Sequence, residues 1–123
     1  MPATPTTDVR TKFDFALRAW ERAQVIYEGP STAEASSILE DIGARPGDFH
    51  DLLVASLTHP SQLVVGYCLI ALDRMQSVAL MSLPKELLAR RDKITFFMGS
   101  FSQSTDIGGL ARRLAKKWGG HVA

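Results

Sequence analysis

Apolar residues recur along most of this chain about every 3.6 residues, the helical period, with breaks at clusters of glycine and proline. Val9, Phe13, Ala16, Leu17, Trp20, Ala23 and Tyr27 share one face, while Arg10, Asp14, Arg18 and Glu21 lie elsewhere around the wheel. Gly29-Pro30 stops this first helix. Ser31 and Glu34 form an S-x-x-E capping box that opens a short second helix to about residue 42. The stretch ARPGD breaks the chain again. Asp48 then serves as N-cap for a third helix with Phe49, Leu52, Leu53 and Leu57 as its stripe.

Pro60 sits in the tight connection THPS and suits a first turn, so the pattern predicts a fourth helix over residues 61–76. Here Leu63, Val64, Val65, Tyr67, Cys68, Leu69, Ile70, Ala71, Leu72 and Met75 cover every side of the wheel. A helix that is apolar all round is buried all round, so this one is expected at the centre of the core. Gly66 within it costs about 1 kcal/mol against alanine, which predicts the close approach of a neighbouring backbone.

A short helix is expected from Pro84. The run ITFFMGSFSQ is compatible with strand or helix, because short apolar runs do not set their own period. Ile107, Leu110, Ala111, Leu114, Ala115 and Trp118 define a last helix that Gly119-Gly120 ends. Its basic residues Arg112, Arg113, Lys116 and Lys117 lie off the apolar face and suit the negative end of the dipole. Strand patterns elsewhere are nearly absent. The expected fold is all-α, with about five or six helices in one domain over residues 8–119 and frayed ends at 1–7 and 120–123.

Composition changes this picture little. With 123 residues, 46% hydrophobic and 22% charged, the chain has the makeup of a globular domain able to bury a core. The single Cys68 cannot make an intramolecular disulfide and fits a reducing compartment. The first ten residues carry no secretory pattern, and no apolar run approaches the roughly 20 residues of a membrane span. A cytoplasmic location and no membrane association are expected.

Net charge is +1, but it is unevenly spread. Residues 31–59 hold five acids and one base, whereas residues 85–118 hold eight bases and three acids. Such asymmetry points to an anionic partner for the basic part, or to two solvated faces that balance each other.

The helices on either side of THPS resemble a HEAT repeat, the two-helix unit of α-solenoids. The likeness rests on Leu52, Leu53 and Leu57 in the first helix, Pro60 in the turn, and Val64, Cys68, Ala71 and Leu72 in the second. It covers about 25 residues; His59 replaces the usual turn Asp, and Val65 stands where the family has Arg. The resemblance implies a stack of antiparallel helix pairs that binds a protein partner by its surface, without cofactor or chemistry.

No catalytic signature competes with this. His50, Asp51 and His59 have no metal-ligand spacing. Cys68 lies mid-helix among apolar residues, the setting of an inert thiol. Glu40-Asp41 and Asp48/Asp51 sit at a helix end and a helix start, where dipole and capping effects account for them. MGSFS and DIGGL lack the lysine of a phosphate loop. The segment STDIGGLARRLAKKWG is similar to the first helix of a helix-turn-helix, but no recognition helix follows it.

The expected function is therefore a non-catalytic interaction or scaffold module with no cofactor. The alternative is nucleic-acid binding through Arg112, Arg113, Lys116 and Lys117, which the near-neutral balance disfavours. Phe96, Phe97 and Phe101 are the candidate partner-binding residues. If the helical stack leaves them exposed, they form an apolar patch suited to a homodimer.

Overall fold

Helix α4 (Gln62–Arg74) is the element on which the others assemble, and its residues 64–72 are all buried. In the computed structural model, residues 5–27, 34–98 and 101–119 are described, with side chains for all of these except 5–8, 27, 97, 98 and 101. Before α4 come α1 (Pro5–Arg22), β1 (Ile26–Tyr27), α2 (Glu34–Gly43), α3 (Pro46–Ala55) and the 3₁₀ turn η1 (Ser56–Thr58). After it come the 3₁₀ turn η2 (Val78–Met81), α5 (Lys85–Leu88), β2 (Lys93–Met98), β3 (Phe101–Asp106) and α6 (Ile107–Lys117). Helices α1, α2, α3 and α6 all pack on α4, as an apolar wheel requires.

The fold is mostly helical, but it is not purely so. Three strands form a sheet in the order β1-β2-β3, with β1 parallel and β3 antiparallel to β2. The described residues of the ambiguous run thus lie in the antiparallel strands β2 and β3. Their register pairs Lys93 with Asp106 and Met98 with Phe101. Ile94 and Phe96 alternate into the core while Lys93 is exposed and Thr95 half-buried, the period-two pattern of a half-covered strand. Ile26 and Tyr27, which the periodicity assigned to the first helix, pair instead with Phe96 and Phe97. Tyr67 on α4 holds the chain there by donating its hydroxyl to Val25 O at 2.8 Å.

Element ends also moved for identifiable reasons. Helix α1 starts at Pro5, ahead of the expected residue 8. Helix α3 starts at Pro46, with proline in its first turn, so Asp48 lies inside that turn and pairs with Arg45 at 3.4 Å rather than capping. Ser61 caps α4 by accepting from Val64 N. Helix α1 also ends early, at Arg22, so Gly29-Pro30 is not its stop; the expected capping serine of α2, Ser31, lies outside the described residues, as do 1–4 and 120–123.

Two details bind the core. Trp20 and Tyr67 stack at 5.4 Å, and Trp20 Nε1 donates to Ala35 O, so one buried contact joins α1, α4 and α2. Gly66 faces the side chain of Ile26, which occupies the space a Cβ would need; a side chain, not the expected backbone, makes the close approach. The end of α4 is closed by a Schellman motif: Ser77 N donates to Leu72 O, Gln76 N donates to Asp73 O, and Gln76 takes φ +56°.

Candidate functional site

The basic part of the sequence gathers at the corner made by α5, β2 and α6. Its geometry begins with two glycines. Gly108 N donates to Arg90 O at 2.8 Å and Ile107 N to Asp92 O at 3.0 Å, so the first turn of α6 rests on the backbone after α5. A Cβ at Gly108 would meet Leu88 O at 2.5 Å and Arg90 O at 2.6 Å, an approach only glycine permits. Asp106 caps α6 by accepting from Gly109 N at 2.6 Å.

This seating leaves a cleft of about 290 Å³ lined by Arg90, Arg91, Arg112, Asp106 and the two glycines. Arg90 is a structural member: it donates to Asp92 at 2.9 Å, to His59 O at 2.8 Å and to Pro60 O at 3.0 Å. That ties the α3–α4 turn to the start of β2. The hydrogen bond from Arg90 holds the Asp92 carboxyl below its ordinary value. Arg112 donates its Nε to Leu88 O at 3.1 Å while its side chain remains exposed, and Arg91 is exposed beside it.

The four basic residues of α6 are all exposed, but they differ in surroundings. Lys116 follows Arg112 by one turn and extends the same face. Arg113 lies over the Phe96 ring at 5.7 Å, on the sheet side. Lys117 is turned away, with Nζ 2.9 Å from Asp73 Oδ1, an oxygen that also accepts from Trp118 Nε1 at 2.8 Å. Phe96 itself is 1% exposed, so it cannot belong to an exposed patch: it fills the core between β2 and α4. The side chains of Phe97 and Phe101 lie outside the described residues.

A second constellation was not visible in the sequence. His50 Nε2 lies 2.6 Å from Ser77 Oγ, and His50 Nδ1 lies 3.1 Å from Asp51 Oδ1. The order hydroxyl, imidazole, carboxylate matches a nucleophile, base and orienter. The surroundings do not suit that work. Ser77 is 6% exposed, and its hydroxyl already accepts from Ala79 N at 3.1 Å as the cap of η2. The Asp51 side chain stands fully in solvent, where it holds an imidazolium weakly. The cluster acts as a latch from α3 to the end of α4. Its members are 27 residues apart, and no local pattern announces such a pair.

Burial pushes the Cys68 thiol above its ordinary pKa, so it is not a ready nucleophile. His59 Nδ1 accepts from Ser61 N at 3.0 Å and serves the turn. Among the described residues no group of three or more His, Cys, Asp or Glu is placed to hold a metal ion, and no helix is long and apolar enough to cross a membrane. Compared with known protein families, curated proteins and solved structures, the chain matches none.

Proposed function

We propose that the protein is a non-catalytic interaction module whose basic corner docks an acidic segment of a partner protein. Carboxylates would be received between Arg91 and Arg112, with Lys116 and Lys93 flanking them. One observation carries this reading. Two of the corner's three acids are engaged internally, Asp92 on Arg90 and Asp106 at the cap of α6, and Glu86 on α5 is exposed, against four cations, Arg91, Lys93, Arg112 and Lys116, that point to solvent. Arginine forks suit carboxylates because two N–H donors match two oxygens. The HEAT-like resemblance agrees with surface binding by a helical stack.

A protein partner fits better than nucleic acid. A duplex presents phosphates over a long surface and favours a broad basic footprint. Here the cations occupy one corner of a chain of net charge +1, and Glu40, Asp41, Asp48 and Asp51 are exposed on other elements.

The test is fluorescence anisotropy with a labelled hexaglutamate peptide at low salt. Binding that weakens with added salt, and by about tenfold or more in Arg91→Gln/Arg112→Gln/Lys116→Gln, is expected. Absence of binding, or equal binding by the triple variant, overturns the proposal. Tighter binding of a labelled DNA or RNA duplex, lost in the same variant, replaces it with the nucleic-acid reading.

A further inference from the structure

Helices α1 and α2 enclose an apolar groove on a separate part of the surface. It holds about 360 Å³ and is lined by Thr11, Lys12 and Phe15 of α1 and Ile38, Asp41 and Ile42 of α2. Phe15 is 53% exposed, although the other rings of α1, Phe13 and Trp20, are 2% and 0% exposed. A large ring left in water beside an apolar floor breaks the amphipathic pattern of its own helix. Such a patch on an otherwise polar helix face marks an interface.

We propose that a second copy of this chain covers the groove, in a two-fold dimer where each Phe15 enters the groove of the other copy. Two features select a second copy over an unrelated partner. A two-fold interface must be plug and socket at once. This patch is both, because Phe15 stands at the edge and Ile38 and Ile42 form the floor. Its charges must also pair with themselves. Among the described residues that line it, the charged ones are a cation, Lys12, and an anion, Asp41, both exposed, so a two-fold axis can bring Lys12 of one copy to Asp41 of the other. The dimer uses none of the residues of the basic corner, and the two proposals stand or fall separately.

Sedimentation velocity of the full chain, over a concentration series reaching the millimolar range, tests this. The wild type should pass from monomer to dimer. Phe15→Ser should raise the dimer dissociation constant by about tenfold or more, since truncated aromatic anchors have effects of that order. Its circular dichroism at monomeric concentrations should stay unchanged and its melting should fall only slightly, because about half of the ring is exposed in the single chain. Lys12→Asp and Asp41→Lys should each weaken the dimer, and the double variant should recover it. A wild type that stays monomeric throughout, a Phe15→Ser protein that dimerises as well as wild type, or a double variant no better than the singles would overturn the proposal.

Discussion

Replacing Gly66 by alanine should destabilise the protein even though alanine is the better helix former. In a helix interior the exchange favours folding by about 1 kcal/mol. Against that, the new Cβ lands on the Cδ1 methyl of Ile26, which is fully buried in β1, so the methyl must turn aside within the packed core. Overpacking of this kind costs about 1–3 kcal/mol, so the net expectation for Gly66→Ala is a loss of about 1 kcal/mol. The collision is with that one methyl. The next neighbours, Ile26 Cγ1 at 3.6 Å and Ile107 Cδ1 at 3.7 Å, are ordinary contacts. Ile26→Val removes Cδ1 and by itself costs about 0.5–1.5 kcal/mol. In that background Gly66→Ala should become neutral or stabilising by up to about 1 kcal/mol, giving a coupling of about 1–2 kcal/mol. Urea unfolding of the four proteins, with unchanged m-values, measures it. Additive effects, or a Gly66→Ala protein more stable than wild type, would refute the placement of β1 across α4.

Three further outcomes follow from single positions. Gln76→Gly should stabilise the protein by about 0.5–1 kcal/mol in the same assay, because a left-handed Schellman position strains a side chain and suits glycine. Cys68 should react slowly with a soluble maleimide in the native state and quickly in denaturant, being buried with a raised pKa; fast native labelling would contradict its burial. The lowered pKa of Asp92 means that its pairing with Arg90 stabilises the fold above the unfolded carboxylate value, about 4, and is lost as pH falls through the folded value. The group is well exposed, so Asp92→Asn should remove only a few tenths of a kcal/mol of stability at neutral pH and less at acid pH, seen in melts between about pH 2 and 7.

What the sequence made legible was what a single element decides alone. The all-round apolar wheel of α4 and the one-sided faces of α1 and α6 are local patterns, and each element lies where its pattern requires. The sheet was not legible in that way. Tyr27 extends a helical stripe in sequence, and only the pairing of Ile26 and Tyr27 with Phe96 and Phe97 makes them a strand. Phe96 likewise reads as one of several exposed-or-buried aromatics until the pleat of β2 turns it onto α4. The basic charge of residues 85–118 could be counted, but the cleft could not. It exists because Gly108 lets α6 approach the carbonyls of Leu88 and Arg90, a contact between backbones about twenty residues apart. Phe15 was invisible for the opposite reason: helical spacing places it off the buried face, where an isolated apolar residue is unremarkable until a groove lies beside it.

Titration of the ¹⁵N-labelled chain with hexaglutamate, followed by amide chemical shifts, bears most directly on the basic corner as the working surface. Shifts should concentrate at residues 88–93 and 106–116 and vanish when added salt screens the charges. Shifts that are absent, or that fall instead on the acidic elements α2 and α3, would contradict it.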